Sequence, residues 1–243
     1  KPLEKSRIEG LHEKPLKSVP FGTDRYRSHF VLEGGSVHVD GEGTVITTEE
    51  CLLSPGRNPG ADKQKIEQVL KDYLNVEKVV WIKRGVYRDE TSGHVDNLVH
   101  YCAPGVVALT WTDDKEDPQY EISKEAYDLL SNETDAKGRK LKVVKLHQPG
   151  PLYHTAEEAE GIDLAESGME RSEGDRLAGS YCNFYIGNTR IVYPLLDEKH
   201  DASIGEILKE VFPDKEIVGV EAREILLGGG NIHCITQQVP KYQ

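Results

Sequence analysis

The stretch from Thr44 to Lys83 decides the fold. It contains a β-rich run, TVITTEECLL, then a helical run, KQKIEQVLKDYL, and then a second apolar run, EKVVWIK. In the helical run, apolar residues fall at i, i+3, i+4 and i+7, namely at Ile66, Val69, Leu70 and Tyr73, which is the spacing of one helix face. The stretch therefore predicts a strand, an amphipathic helix and another strand.

The same order of elements recurs twice. GVVALTWTDD from Gly105 is followed by PQYEISKEAYDLL and KLKVVKLH, and TRIVYPLLDE from Thr189 is followed by ASIGEILKEVF and EIVGVEA. A strand is also predicted to open each unit, in VLEGGSVHVDG, TSGHVDNLVHYC and GSYCNFYIGN, and LLGGGNIHCITQ is predicted to open a fourth unit as a strand. The chain thus predicts an α/β fold of about three complete ββαβ repeats plus the start of another.

Four chemically capable residues occupy these opening segments. Units of this size cannot bury both faces alone, so they are expected to pack around a common axis. Quasi-symmetric packing would bring the same position of each unit to the centre. Glu33, His94, Asp96 and Cys234 are therefore predicted to converge, although they lie far apart in the sequence.

Composition narrows the classes of partner. The 243 residues carry a formal net charge of −12, which argues against nucleic acid or an anionic membrane and favours a small cationic molecule. No apolar run reaches the length of a membrane span. The four cysteines are widely separated and form no CxxC pair, which favours free thiols in a reducing, cytoplasmic setting.

The segment GGGNIHC, Gly228 to Cys234, allows two interpretations. Cys234 is a candidate nucleophile, activated by a histidine from another unit or by nearby positive charge. Neighbouring carboxylates would then hold a cationic group such as a guanidinium by paired hydrogen bonds. Spacing alone equally allows an inert strand thiol after a tight glycine turn. Because side chains alternate along a strand, His233 is predicted to point away from Cys234.

Two H-x-D pairs raise a third interpretation. The sequence HVD occurs at His38 to Asp40 and at His94 to Asp96, and two such strands could assemble a metal site. His38 alone fits a hydrogen-bonded strand residue better. Glu33 precedes Gly34 and Gly35, and this pattern indicates a place where the backbone is approached closely.

Several longer motifs resemble one family. They are LEGGSVHVDGEGTVITTEECLL, RNP at Arg57 to Pro59, DETSGHVDN, LTWTDDKEDPQYE, SYCNFYIGN and GGGNIHCITQQ. Together they are similar to agmatine deiminases (agmatine iminohydrolases), particularly the plant-type enzymes, from about His29 to the end of the chain. The resemblance implies the pentein fold of the guanidino-group-modifying superfamily, a five-bladed α/β propeller of ββαβ units.

The resemblance also implies a domain organisation. Residues 1–28 form a polar N-terminal segment, expected to be the tail of a missing part, and residues 29–243 form a partial pentein catalytic domain. A polar insert at about 154–176 is expected to be exposed. The family motif W-x-R-D-x-G-P, whose aspartate grips the guanidinium, does not occur in these residues, so about one third of a family chain is expected to be absent.

The implied reaction is hydrolysis of agmatine to N-carbamoylputrescine and ammonia, in putrescine and polyamine biosynthesis, without metal or organic cofactor. The resemblance assigns Cys234 as the nucleophile, His94 as the acid and base, and Glu33 as a further catalytic residue that also binds the guanidinium. It assigns Asp96 to the guanidinium nitrogens.

Three further residues are predicted to bind substrate. Glu90 or Asp89 is a candidate for the distal ammonium of agmatine, by proximity in sequence only, and Gly230 is grouped with them. The alternatives are a non-catalytic pentein that binds a guanidine or polyamine, and a deiminase acting on arginine or another guanidine. The sequence leaves open a homo-oligomer.

Overall fold

The computed structural model describes residues 28–161 and 171–238. Almost all of the predicted N-terminal segment 1–28, and residues 162–170 of the predicted insert, lie outside the described residues. Within the described ranges, no helix is both long and apolar enough to cross a membrane.

Three copies of one supersecondary unit make up the described chain. The strands are β1 (Val37–Val39), β2 (Thr44–Thr48), β3 (Lys78–Ile82), β4 (Val99–Ala103), β5 (Val106–Trp111), β6 (Lys142–His147), β7 (Tyr185–Ile186), β8 (Arg190–Leu195) and β9 (Glu216–Glu221). The helices are α1 (Glu49–Leu52), α2 (Lys63–Leu74), α3 (Gln119–Asn132), α4 (Ala156–Glu160), α5 (Asp201–Val211) and α6 (Arg223–Leu226).

Each unit forms its own three-stranded sheet, in the orders β1-β2-β3, β4-β5-β6 and β7-β8-β9. The first two strands of each sheet pair antiparallel, and the last two pair parallel. A parallel pair needs a crossover, which α2, α3 and α5 supply. The predicted α/β class and the three ββαβ units are confirmed, whereas the five-bladed ring stays a prediction.

Local sequence explains where the crossover helices begin and end. The Asp62 side chain accepts a hydrogen bond from the backbone N–H of Lys65 at 2.8 Å and so caps α2, as aspartate commonly does. Asn75, with φ of 55°, ends that helix in the left-handed conformation. Asp117 accepts from the N–H of Gln119 at the start of α3. These contacts determine where the two helices begin and where α2 ends.

The apolar faces of the helices pack against the sheets, except at Tyr73 of the predicted face of α2, which is 42% exposed. Ile66 and Leu70 of α2, and Ile204 and Leu208 of α5, are completely buried. Burying one such side chain contributes about 1.5–3 kcal/mol relative to leaving it exposed. The largest cluster joins the middle sheet to the first one, with Leu109 and Val80 among its buried members. The cores hold the three sheets so that their opening segments face one another.

The opening segments differ from the prediction. Glu33, His94 and Asp96 do not lie in strands: 3-10 turns at Gly34–Ser36 and Val95–Asn97 precede β1 and β4. The predicted opening strand of the fourth unit is wrong over its described part, because residues 223–238 form α6 and a 3-10 turn at His233–Ile235. Glycine-rich, polar sequences favour such turns over extended pairing.

The described ends of the insert are tied to the body. Its helix α4 carries a capping box between Thr155 and Glu158, and Arg223 donates to both Glu158 oxygens at 2.7 and 2.8 Å. At the other end, Arg176 pairs with Asp117 at 2.9 and 2.8 Å. Each described end of the insert is therefore held to the rest of the domain by an ion pair between an arginine and a carboxylate.

Candidate active site

The turns that open the units meet at an open cavity of about 740 Å³. Glu33, His94 and Cys234 line it, together with the glycines Gly34, Gly35, Gly228, Gly229 and Gly230 and the histidines His38, His100 and His233. Asp96 lies behind this surface, fully buried. The structure therefore brings together the four residues that the sequence predicted to converge.

The sulfur of Cys234 lies between a carboxylate and an amide. Its Sγ is 3.4 Å from Oδ2 of Asp96, and Nδ2 of Asn183 donates to it at 3.1 Å. Burial, and next the negative charge of Asp96, raise the pKa of the Cys234 thiol to about 12. Without a cationic ligand the group is therefore a neutral thiol at physiological pH.

Asp96 connects Cys234 to His233. The same oxygen, Oδ2, lies 2.8 Å from Nδ1 of His233, and because a carboxylate only accepts, this ring nitrogen carries the proton. The prediction that His233 points away from Cys234 is wrong. The two residues belong to a 3-10 turn, so neighbouring side chains do not alternate as they would along a strand.

Oδ1 of Asp96 and Nε2 of His94 are among the polar atoms at the site that have no hydrogen-bond partner within the described chain. Both are buried, and leaving such atoms unpaired is costly. The nearest charged atom to the His94 nitrogen is Oε2 of Glu33, at 3.7 Å. The site thus presents an acceptor and a ring nitrogen ready for a ligand.

Glycine at two positions allows this packing. A Cβ on Gly35 would lie 2.6 Å from Nδ1 of His94 and 2.7 Å from Oδ2 of Asp96. A Cβ on Gly230 would lie 2.7 Å from the sulfur of Cys234. The predicted close approach beside Glu33 is confirmed at Gly35. The predicted role of Gly230 in binding substrate stays a prediction, and its contact here is with Cys234.

Glu33 is held by an arginine. Nε of Arg57 donates to both carboxylate oxygens at 2.9 and 2.8 Å, and Nη2 donates to the carbonyl of Thr91 at 2.5 Å. Burial acts to raise the pKa of Glu33, but the hydrogen bonds and charge of Arg57 outweigh it and leave the pKa lowered. Glu33 is therefore an ionised carboxylate next to His94.

Asp89 organises the loop before His94. Its oxygens accept from the N–H of Thr91, Gly93 and His94 at 2.9 to 3.1 Å and from the Thr91 hydroxyl. Burial raises its pKa, against the hydrogen bonds from Thr91. Binding of substrate by Asp89 stays a prediction, and its described contacts are those of a loop-forming residue.

Glu90 pairs with an arginine from the insert. Nε of Arg171 donates to its two oxygens at 2.9 and 3.1 Å, and Nη1 donates to the carbonyl of Leu227 at 2.8 Å. A Cβ on Gly229 would lie 2.9 Å from Oε2 of Glu90. Glu90 is thus next to the glycine loop that carries Cys234, and its binding of an ammonium stays a prediction.

A cluster of histidines lies beneath the cavity. The rings of His38 and His100 are 3.9 Å apart, and that of His233 is 5.0 Å from His38. Burial, then the neighbouring imidazoles, hold the pKa of His38 well below its usual value, and burial lowers that of His100 to about 3. These two rings are therefore neutral. Nδ1 of His100 contacts the carbonyl of Cys182 at 2.8 Å. His38 lies in β1 as predicted, but its Nε2 is buried without a hydrogen-bond partner in the described residues, so the predicted hydrogen bond is not found at this nitrogen.

The two HVD pairs do not form a joint metal site among the described residues. Within residues 28–161 and 171–238, the one group of three ligand atoms close enough to share a metal ion consists of Glu33, Cys51 and His94. Oδ1 of Asp40 instead accepts from the N–H of Glu42 and Thr44 in its own turn.

Sequence reasoning missed three residues that shape the site: Arg57, Asn183 and His233. Arg57 and Asn183 lie in the quoted motifs RNP and SYCNFYIGN, but no spacing rule connects them to Glu33 or Cys234. His233 stands next to Cys234, and the assumption of a strand set it aside.

Comparison of the sequence with known proteins finds one family. The family model for Porphyromonas-type peptidyl-arginine deiminase matches residues 12–240. An agmatine deiminase homologue of Listeria monocytogenes serotype 4b is 64% identical over 219 residues, which cover 90% of this chain and 60% of the relative. A homologue of Photobacterium profundum is 62% identical over 220 residues, with the same coverage. The chain therefore spans about 60% of the length of these curated relatives.

Solved structures agree. Agmatine deiminase of Enterococcus faecalis, described as catalysing its reaction, is 51% identical with a TM-score of 0.84, over 89% of this chain and 59% of that one. A substrate-bound cysteine-to-serine variant of agmatine deiminase from C. jejuni is 28% identical with a TM-score of 0.72, over 87% of this chain and 56% of that one.

Proposed function

This chain belongs to the family of Porphyromonas-type peptidyl-arginine deiminases, and we propose that it carries the nucleophile and the acid–base group of an agmatine deiminase. The proposed reaction converts agmatine and water to N-carbamoylputrescine and ammonia. The relatives at 60% identity and above are agmatine deiminase homologues, which favours agmatine over other guanidines.

One observation carries the proposal. A neutral thiol, Cys234, lies beside a buried carboxylate, Asp96, that keeps one oxygen without a partner in the described chain. Such a pair suits a cationic substrate, because the cation would satisfy the carboxylate and lower the pKa of the thiol by its charge. A guanidinium, with donors in a planar fork, matches a carboxylate by paired hydrogen bonds.

The first half of the proposed reaction breaks a carbon–nitrogen bond. Asp96 and Glu33 hold the guanidinium nitrogens, the thiol of Cys234 gives its proton to His94, and its sulfur attacks the central carbon. The leaving nitrogen takes a proton from His94 and departs as ammonia. A thiouronium remains, in which the former guanidinium carbon is bonded to the sulfur of Cys234.

The second half regenerates the enzyme. His94 accepts a proton from water, whose oxygen attacks the thiouronium carbon. The carbon–sulfur bond then breaks, the sulfur of Cys234 recovers its proton, and the ureido product leaves. The Nε2 of His94, 3.7 Å from Glu33 and without a hydrogen-bond partner in the described residues, supports both transfers, since no other contact there competes for this nitrogen.

The distal ammonium of agmatine needs its own acceptor, and Glu90 is the proposed one. Glu90 lies next to Gly229: a Cβ added to this glycine would be 2.9 Å from Oε2 of Glu90. The Glu90 carboxylate is already paired with Arg171. The cytoplasmic location, a homo-oligomer and a role in putrescine and polyamine biosynthesis stay predictions.

A direct assay tests the function. The protein that carries this chain is incubated with agmatine and, in parallel, with arginine, and ammonia release is measured for the wild type and for Cys234→Ser. We expect turnover of agmatine alone and none from the variant. Faster turnover of arginine would support the alternative deiminase, and no turnover of either would favour a guanidine-binding protein.

A further inference from the structure

A second thiol lies close to the histidine of the site. Cys51, on the short helix α1, is completely buried. One ligand atom each of Cys51, Glu33 and His94 lies within 4.8 Å of the other two. The proposed reaction uses Glu33 and His94 but gives Cys51 no part. Sulfur, imidazole nitrogen and carboxylate oxygen together are the donors that zinc prefers.

The His94 nitrogen points to a ligand independently of that proximity. His94 is 8% exposed, and its Nε2 has no hydrogen-bond partner in the described chain. It faces Glu33, with 3.7 Å between Nε2 and Oε2. A buried ring nitrogen without a partner is costly, and a metal ion would satisfy it.

We propose that Glu33, Cys51 and His94 form an inhibitory site for a thiophilic divalent cation such as Zn²⁺. Three protein ligands would leave the fourth tetrahedral position to water. Donor atoms of a tetrahedral zinc site stand about 3.5 Å apart. The Glu33 and His94 atoms are already 3.7 Å apart, and since all three ligand atoms lie within 4.8 Å of one another, Cys51 must approach them by no more than about 1 Å. On binding, the thiol of Cys51 gives its proton to solvent, and the sulfur takes the metal in its place.

The cavity offers the ion a way in. Glu33 and His94 line it, and the side chain of Glu33 is 40% exposed, whereas the third ligand, Cys51, is buried with its sulfur within 4.8 Å of their ligand atoms. An ion here would occupy the two groups that the proposed reaction needs for proton transfer. Binding of the ion is independent of the proposed function, whereas inhibition rests on it.

Arg57 limits the affinity. Its guanidinium donates to both oxygens of Glu33, so Glu33 must give up one of them to the metal, and the two cations repel. Replacing Arg57 by Gln is therefore expected to tighten zinc binding several-fold, in contrast to the loss expected from replacing a ligand.

Binding is tested without activity. In a Cys234→Ser background, which removes the other thiol at the cavity, Co²⁺ is titrated and the thiolate-to-cobalt absorption band is followed, with Zn²⁺ affinity from calorimetry. Adding Cys51→Ala should remove the band and weaken zinc binding by at least about the 10–100-fold that a lost outer-shell partner costs. Adding Cys102→Ala, a matched control at a thiol outside the cluster, should change neither.

An unchanged band and unchanged affinity after Cys51→Ala would overturn the proposal, as would no zinc binding by the wild type. Thermal unfolding checks that each variant is folded. If Cys51→Ala is not, Cys51→Ser supplies the same test, because a hydroxyl does not replace a thiolate as a zinc ligand.

Inhibition is then measured on the active protein. With Cys234 intact, Cys51→Ala should keep its turnover of agmatine and need at least ten-fold more Zn²⁺ for half-inhibition than the wild type or Cys102→Ala. Equal sensitivity of the three proteins would place the inhibitory zinc elsewhere and contradict the proposal. A protein that binds zinc through Cys51 but turns over no guanidine would instead contradict the proposed function alone.

Discussion

Asp117 and Glu33 each hold an arginine by two hydrogen bonds, but their surroundings differ. The carboxylate of Asp117, paired with Arg176, is 6% exposed. That of Glu33, paired with Arg57, is 40% exposed and faces the cavity, with His94 at 3.7 Å. The same ion pair therefore serves a structural purpose in one place and leaves a reactive surface in the other.

The remaining contacts of Asp117 sharpen this difference. Its oxygens also accept from the N–H of Gln119 at 2.9 Å and from Nε2 of Gln148 at 2.7 Å, so its hydrogen-bonding capacity is filled from within the protein. Glu33 keeps lone pairs for a ligand. The two residues are matched controls for each other.

Among changes at the two ion pairs, replacing Glu33 by Gln should have the largest effect on activity. The variant lacks the charge that holds a guanidinium and supports proton transfer by His94, so kcat/KM for agmatine should fall about 10²–10⁴-fold, the range for acid–base groups. The melting temperature should change little, because the group is partly exposed. Loss of folding together with activity, measured by calorimetry, would contradict this separation.

Replacing Asp117 by Asn should do the reverse. It leaves the guanidinium of Arg176, whose side chain is 15% exposed, without its charged partner, which costs about 3 kcal/mol of unfolding free energy, measured by denaturant titration. Turnover of agmatine at low temperature should stay near that of the wild type. A variant that is as stable as the wild type but inactive would show that Asp117 belongs to the site.

The pH dependence of stability follows from the same residue. Burial acts to raise the pKa of Asp117. The hydrogen bonds and charge of Arg176, with the N–H of Gln119, outweigh burial, so the pKa of Asp117 lies below its usual value. Its contribution is complete above the unfolded pKa of about 3.9 and is lost as the pH falls through the folded pKa. The free energy of unfolding of the Asp117→Asn protein should therefore fall less between neutral and acidic pH than that of the wild type.

Variants of Glu90 and of its partner Arg171 test whether Glu90 binds the distal ammonium of agmatine. If Glu90 binds the distal ammonium, Glu90→Gln should raise KM for agmatine about ten-fold, since a charge-assisted hydrogen bond is lost. Arg171→Gln frees the carboxylate and should not raise KM. Equal increases in KM for the two variants, from initial-rate kinetics, would mean that the pair only anchors the insert.

The smallest expected effect is a shift in a pH profile. Arg57 lowers the pKa of Glu33, so Arg57→Gln should raise that pKa, and ionised Glu33 would persist only at higher pH. The acid limb of the kcat/KM profile should move up by as much as about one pH unit, the lower end of the range for a neighbouring charge. A chelator in the assay removes any contribution from bound zinc, and an unmoved limb would argue that Glu33 does not control activity.

The repeats could be predicted because periodicity is local information. The apolar spacing of Ile66 and Leu70, and of Ile204 and Leu208, defines helices that the structure buries on those faces. The opening segments were harder. GGGNIHC and LEGGS have no period that separates a strand from a 3-10 turn, and the assumption of a strand gave the wrong direction for His233.

The candidate site was harder to predict than the repeats, because it is formed by contacts between distant parts of the chain. The resemblance singled out Cys234, His94, Asp96 and Glu33, and the fold brings them together. Nothing in the sequence shows that Arg57 reaches Glu33 across 24 residues or that Asn183 reaches Cys234 across 51. Such pairs follow from the packing of whole units and become visible only in three dimensions.

The identity of the nucleophile is the central claim, and selective labelling tests it most directly. The protein that carries this chain is treated with a haloacetamidine, a guanidinium mimic with a leaving group, and the modified cysteine is mapped by mass spectrometry with and without agmatine. We predict alkylation at Cys234 with prevention by agmatine, while Cys51, Cys102 and Cys182 stay unmodified. Equal slow labelling of all four thiols, or full activity after complete alkylation of Cys234, would contradict the account.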